Sequence, residues 1–242
     1  MSAPVPKLEV AGIDSLTLRL FDNIDESNMP WMLAASQRLR ASFGDALIDL
    51  VPSYTTLLLH YDLERMDLKR MAGMRVRELI AEAFVDLQPA SAEGGRCHEL
   101  PTWYDRSVGP ELPLLAQRSG LSEAQVIERH SRHEYQVFAI GFAPGFAFMG
   151  LVEEALAAPR LSTPRKRVAA GSVGIAERQT AVYPVVSPGG WNLLGRSPVK
   201  LFDHSIDGYS LMQPGDRVRF APIDHAEFIR LGGDDSPLET PL

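Results

Sequence analysis

The sequence predicts an α+β protein in two parts, a small mixed domain followed by a β-rich one. Three observations carry this. Residues 1–89 alternate between strand-like and helix-like spacing of apolar side chains. A run of small residues, 90–95 (Ala-Ser-Ala-Glu-Gly-Gly), then interrupts every pattern and marks a boundary. From Tyr135 onward, short apolar runs alternate with Gly and Pro turns, as in a barrel or sandwich.

The elements follow in order. Leu16, Leu18 and Leu20 alternate with Thr17 and Arg19, giving a half-buried strand. Asn28 is read as an N-cap, with Pro30 early in the helix behind it. Met32, Ala35, Leu39 and Phe43 recur at helical spacing, and Gly44 ends the run. Residues 46–51 and 55–61 read as strands joined by a turn at Pro52-Ser53. Residues 67–87 read as a second helix through Met71, Met74, Leu79, Ile80 and Phe84. This first domain is drawn over 1–89.

Beyond the boundary, a strand is expected over 97–104 and helices over 110–119 and 122–130. Ser122 and Gln125 have the spacing of a capping box. Strands are then expected at 136–141, 168–169, 173–176, 181–186, 200–202 and 217–220, the last fed by Pro214-Gly215-Asp216. The second domain is drawn over 96–231. The polar stretch 232–242 is expected to be a disordered tail.

Composition narrows the function. The chain has 242 residues, 45% of them hydrophobic, which suits a globular protein. Its net charge of −7 argues against a nucleic-acid partner. The basic strip Arg160, Arg165, Lys166, Arg167 is too short to serve as such a footprint. Cys97 is the one cysteine, so no internal disulfide forms, and it is expected to be a small buried hydrophobe rather than a nucleophile. No signal-like segment opens the chain and no apolar run reaches membrane length, so a cytoplasmic location is expected.

The chemistry concentrates between Tyr135 and Arg196, in three cassettes. They are Gly141-Phe142-Ala143-Pro144-Gly145-Phe146, then Pro159-Arg160 through Pro164-Arg165, then Tyr183-Pro184 with Ser187-Pro188-Gly189-Gly190-Trp191 and Gly195-Arg196. Pro fixes φ and Gly permits positive φ, so these runs specify loop shapes. The loops carry arginines and aromatics, the side chains suited to an anionic or planar ligand. Arg165 and Arg196 have two readings: bidentate partners for a carboxylate or phosphate, or arginines that hold loops through carbonyls. Gln179 and Tyr183, four apart around a short strand, orient a polar ligand or line a barrel wall. Trp191 is a plug or a stacking platform, and Phe142, Phe146 and Phe148 share that ambiguity. No P-loop and no Gly-x-Ser-x-Gly motif is present. His130 and His133 lie three apart without a third ligand nearby, so no metal site is read.

These cassettes resemble the family of allophanate hydrolase subunit 1, KipI and the 5-oxoprolinase B subunit (PxpB). His130, Tyr135, Gly171-Ser172-Val173-Gly174-Ile175-Ala176, Gln179-Thr180 and Pro214-Gly215-Asp216-Arg217-Val218 extend the match. Asp14, Pro52-Ser53-Tyr54 and His60-Tyr61-Asp62 continue it more loosely into the N-terminal part. Two departures stand out. Ala147-Phe148-Met149 replaces Pro-Tyr-Leu, and Glu177 stands where Gly is common.

The resemblance implies a small α+β domain followed by a cyclophilin-like β-barrel. It implies the B subunit of an ATP-dependent 5-oxoprolinase, a lactam hydrolase that opens 5-oxoproline to L-glutamate only together with its A and C subunits. A KipI-like inhibitor of a histidine kinase, or a subunit related to urea and allophanate metabolism, are the alternatives. ATP with magnesium would be bound in the complex. The residues carried over as catalytic are Arg165, Gln179, Tyr183 and Arg196. Those carried over as substrate-binding are Phe142, Pro144, Gly145, Phe146, Ser187, Pro188, Gly189, Gly190 and Trp191.

Overall fold

The computed structural model describes residues 3–66, 72–91 and 95–238. The chain divides into two compact units, Met1–Gly94 and Gly95–Leu242.

In the first unit, β1 (Lys7–Val10), β2 (Ser15–Arg19), β3 (Leu47–Ser53) and β4 (Thr56–Tyr61) form one antiparallel sheet in the order β1-β2-β4-β3. Alternation makes it one-sided: Leu16, Leu18, Leu57 and Leu59 are all buried. Helix α1 (Met29–Phe43) turns Met32, Ala35, Leu39 and Phe43 inward, packs on β3 and β4, and meets α2 (Ala72–Phe84).

The expected cap at Asn28 is not made. A short 3₁₀ turn over Glu26–Asn28 precedes the helix, and Asp25 caps that turn by accepting from Ser27 N at 2.8 Å. Asn28 instead donates to Asn23 O at 2.8 Å. The expected turn at Pro52-Ser53 falls two residues later. Both residues stay in β3, and Tyr54, at φ 51, makes the turn. Pairing of β3 with β4 runs through Ser53↔Thr56, so register outweighs the turn propensity of Pro-Ser. The alternation over 7–10 was too short to read as β1. Residues 67–71 of the expected second helix lie outside the described residues.

The second unit is a closed barrel of seven strands. They are β5 (Cys97–Trp103), β6 (Glu134–Ile140), β7 (Ala147–Gly150), β9 (Ser172–Ala176), β10 (Gln179–Val182), β12 (Asn192–Arg196) and β13 (Arg217–Ile223). Their order is β10-β7-β6-β13-β5-β12-β9, and β9 closes back on β10. β5 and β13 run parallel; the other neighbours are antiparallel. A separate two-stranded ribbon pairs β8 (Arg165–Val168) with β11 (Ser187–Gly189). Helices α3 (Leu112–Ser119) and α4 (Glu123–Arg132) pack together, and the capping box of Ser122 and Gln125 is formed. Helix α5 (His225–Arg230) follows β13.

Several expected elements change. Residues 200–202 form no strand, only one bridge between Phe202 and Ser210. The strand expected over 181–186 ends at Val182, because Tyr183–Val186 bend toward the ribbon. β7 and β12 were hidden inside the loop cassettes. Cys97 is exposed rather than buried, its thiol 3.7 Å from Glu134. The expected tail is tied down over its described part, 232–238: Asp234 and Ser236 carbonyls accept from Arg196, and Leu238 packs on a core cluster with Phe146, Tyr183 and Trp191, while 239–242 lie outside the described residues.

His130, on α4, is fully buried in the barrel core. Its ring lies 4.5 Å from Phe220 and 5.3 Å from Tyr135 between centroids. Thr180 Oγ1 spends its one proton on Gly174 O, at 3.1 Å, so it accepts from His130 Nε2 at 3.0 Å. His130 Nδ1 therefore carries no proton and accepts from the Tyr104 hydroxyl at 2.8 Å. Burial, with His133 adding, holds the imidazole down to about 3, so it is neutral at pH 7.

Candidate functional site

Three loops meet at one cavity of about 110 Å³. Phe142, Phe146, Phe148, Tyr183 and Trp191 give it aromatic walls, Pro188, Gly189 and Gly190 contribute a third loop, and Arg160 is its charged lining residue. At about 10–15 Å³ of such space per water, the cavity suits a small flat group.

The loop between β6 and β7 closes on itself. Gly141 N donates to Phe146 O at 3.1 Å, and Phe146 N donates to Ala143 O at 3.0 Å. Gly145, at φ 81, sits so close to the Leu201 carbonyl that a Cβ would meet it at 2.8 Å, so only glycine fits. This geometry buries Phe146 and leaves Phe142, at φ 69, 66% exposed. A non-glycine residue held in that conformation beside a cavity is the kind of strain found at binding sites. Phe146 anchors the cluster, edge-on to Phe142, Tyr183 and Trp191 at 5.3, 5.3 and 5.8 Å.

The second loop is tied to the third. Leu161 N donates to Gly190 O at 2.7 Å, and Asn192 Nδ2 donates to Pro159 O at 2.9 Å. These bonds set the Arg160 guanidinium 6.0 Å from the Trp191 ring centroid, the outer range of a cation–π contact. A side chain at Gly189 would collide with the Tyr183 phenol, so the close approach there also requires glycine. Burial pushes the Tyr183 hydroxyl up to about 12, restrained by a hydrogen bond with the Trp191 backbone and by the charges of Arg160 and Arg165. At neutral pH it is an uncharged phenol.

The residues singled out in the sequence separate into two groups. Phe142, Phe146, Pro188, Gly189, Gly190, Trp191 and Tyr183 gather at the cavity. Trp191 is both plug and wall, 5% exposed yet lining the space. Pro144 is exposed and Gly145 buried in the same loop, and Ser187 begins β11; none of the three is a lining residue.

Gln179, Arg165 and Arg196 are not lining residues either. Gln179 is half-buried, in register with Gly150 and Ala176. Arg165, 5% exposed, is ion-paired with Glu111, whose other oxygen accepts from Leu193 N at 2.9 Å. Arg196, 1% exposed, donates through Nη1 to Asp234 O at 2.5 Å and Ser236 O at 2.9 Å. A pocket shared by these three with Tyr183 is not the observed geometry: each arginine is held by its own separate partners.

Arg160 and Phe148 also line the cavity, although neither was among the residues carried over: Arg160 stands in the second cassette, and Phe148 had been read with Phe142 and Phe146 as a plug or a stacking platform. Glu111 was missed altogether. Its only signal is an acid between Pro110 and Pro113 where a helix begins. Among the described residues, no cluster of three His, Cys, Asp or Glu side chains is placed to hold a metal, and no helix is long and apolar enough to cross a membrane.

Comparison with known proteins fits this architecture. The family described as carboxyltransferase domain, subdomain C and D, matches residues 6–212. A Bacillus subtilis (strain 168) protein named as the B subunit of 5-oxoprolinase is 33% identical over 92% of this chain and 95% of its own length. The Escherichia coli O157:H7 protein of the same name is 48% identical over 56% of this chain and 61% of that one. Among solved structures, TTHA0988 superposes with a TM-score of 0.73 at 38% identity, over 87% of this chain. This chain spans 40% of the length of TTHA0988. The Kluyveromyces lactis urea carboxylase, at 15% identity and a TM-score of 0.73, shares the fold. The chain belongs to the carboxyltransferase subdomain C and D family, in the group that contains the proteins named as 5-oxoprolinase B subunits.

Proposed function

We propose that this chain is the B subunit of an ATP-dependent 5-oxoprolinase, opening 5-oxoproline to L-glutamate together with the A and C subunits. The observation that carries it is the match to the Bacillus subtilis B subunit over nearly the full length of both chains. The aromatic cavity supports it. 5-Oxoproline is a small flat lactam ring bearing one carboxylate, and the cavity offers flat apolar walls and one guanidinium. In this reading the ring lies between Trp191 and Phe142, and Arg160 takes the carboxylate in a charge-assisted bond. Tyr183 stays protonated and keeps the Gly189–Trp191 loop in place.

Activating a lactam oxygen with a phosphoryl group calls for positioning and charge neutralisation more than for a nucleophile in this chain. In this reading ATP with magnesium is bound in the complex. The sequence of this chain has no P-loop of its own. We therefore assign nucleotide binding to the partner polypeptides. Arg165 and Arg196 become positioning residues in this reading, and Gln179 a barrel-wall residue.

The test is reconstitution. The purified chain and its A and C partners are assayed singly and mixed for 5-oxoproline-dependent ATP hydrolysis. Turnover is expected only in the complete mixture. No turnover in that mixture, or full turnover by this chain alone, sinks the assignment.

A further inference from the structure

Arg196 and Ser172 face each other in register across β12 and β9, and both are buried, at 1% and 0% exposure. Their hydrogen bonding is lopsided. Among the described residues only Arg196 Nη1 has partners, the carbonyls of Asp234 and Ser236. Arg196 Nε and Nη2 and the Ser172 hydroxyl make no hydrogen bond. Nε and Nη2 form one edge of the guanidinium, with two parallel N–H bonds that match the two oxygens of a carboxylate or phosphate. The edge best suited to an oxyanion is therefore the one left open, with a hydroxyl on the facing strand.

Arg196 is covered by a segment from outside the barrel strands. Residues 234–238 are held by their two carbonyls on Arg196, by the Asp235 carboxylate 2.9 Å from His225 Nε2, and by Leu238, which packs on the cluster of Phe146, Tyr183 and Trp191 beneath the aromatic cavity. Among the described residues no carboxylate is hydrogen-bonded to Arg196. Asp234 and Asp235 act on it only through space, while burial disfavours its charge. A guanidinium buried for structure alone is normally matched by an acid in direct contact, as Glu111 matches Arg165 in the same barrel.

We propose that residues 234–238 are a strap over a latent oxyanion site formed by Arg196 and Ser172, and that the site takes a carboxylate or phosphate group when the strap lifts. The strap's carbonyls and its acidic residues stand in for the ligand while it is closed. Because Leu238 rests on the core beneath the cavity, lifting the strap is felt at Trp191. The inference does not depend on the 5-oxoprolinase reading.

The test uses the whole chain with Leu238→Asp, which removes the strap's apolar foot. Binding of inorganic phosphate and of 5-oxoproline is measured by calorimetry, with chloride at equal ionic strength as control. The variant is expected to bind one of the two at least tenfold tighter than the parent chain, and adding Arg196→Gln is expected to abolish the gain. Phosphate binding alone assigns the site to a phosphate ligand, and 5-oxoproline binding alone to a carboxylate. Ser172→Ala, which keeps the charge, is expected to weaken binding severalfold and covers the case in which Arg196→Gln does not fold. Equal binding by Leu238→Asp and the parent, or a gain that survives Arg196→Gln and Ser172→Ala, overturns the proposal and leaves Arg196 as a pin for the tail.

Discussion

Three buried cations or potential cations sit in one barrel, and they are treated differently. His130 uses both ring nitrogens, in a chain that runs from Tyr104 to the Gly174 carbonyl. Arg165 keeps a direct ion pair with Glu111. Arg196 likewise uses one nitrogen of three, but among the described residues its partners are two carbonyls and no acid. A polar group whose partners are built into strands and helices works as structure, since removing any partner leaves an unmet hydrogen bond in a dry interior. A polar group closed only by a segment outside the strands and helices can change partners. The barrel thus separates its framework from its adaptable surface by where each partner is attached.

That contrast can be broken by substitution. The largest effect is expected at Glu111. Glu111→Ala leaves Arg165 charged and buried without its acid and also frees Leu193 N, at about 3–5 kcal/mol. Calorimetry should show the barrel transition falling by roughly 10 °C. A drop below about 2 °C would mean that Arg165 is not held by that pair. His130→Leu comes next. It orphans the Tyr104 hydroxyl, for about 2–3 kcal/mol, with the fall in Tm read the same way.

His130 also gives the comparison a pH axis. Its folded value, about 3, lies below the ordinary 6.5, so the unfolded chain takes up the proton first as pH falls. Stability from keeping the ring neutral is complete above pH 6.5 and is lost as the pH drops toward 3, by about 1.4 kcal/mol per unit between those values. His130→Leu should therefore show a shallower decline of Tm from pH 6.5 to 4 than the parent chain. Parallel curves would mean that the imidazole is not buried neutral.

On the adaptable side, Arg160→Ala should leave Tm within about 1 °C. It should raise KM for 5-oxoproline in the reconstituted complex about ten- to a hundredfold, with Arg160→Lys restoring part of it. A matching loss of stability would move Arg160 to the framework. The smallest effect is at Glu177, which holds φ 51 in the β9–β10 turn. Glu177→Gly should stabilise by about 0.5–1 kcal/mol, because an L side chain is strained there. Destabilisation would show that the glutamate side chain contributes something its backbone does not need.

The framework and the site were unequally legible. Apolar periodicity placed α1, α4, β2 and β4 closely, because a one-sided element writes its burial at fixed spacing. β7 and β12 were missed because Gly and Pro beside them read as loop, while their pairing comes from strands distant in sequence. The cavity walls were legible as cassettes, since loop shape there depends on local Gly and Pro chemistry. Arg165 and Arg196 were recognised as unusual but assigned to a shared ligand. Their actual partners, Glu111 and the 234–236 carbonyls, lie 54, 38 and 40 residues away, beyond any local pattern.

The parallel pairing of β5 with β13 has a consequence for how the barrel is made. Its first and last strands are neighbours, with Cys97 opposite Arg217, and Asp216 bonds across the seam to Arg96 N and His98, 120 and 118 positions earlier in the chain. No growing polypeptide can seal the ring before that final strand has left the ribosome. Until then β5 waits with one edge open, an invitation to chaperones and to mispairing. A pairing between strands so far apart in sequence raises the contact order, and high contact order goes with slow folding.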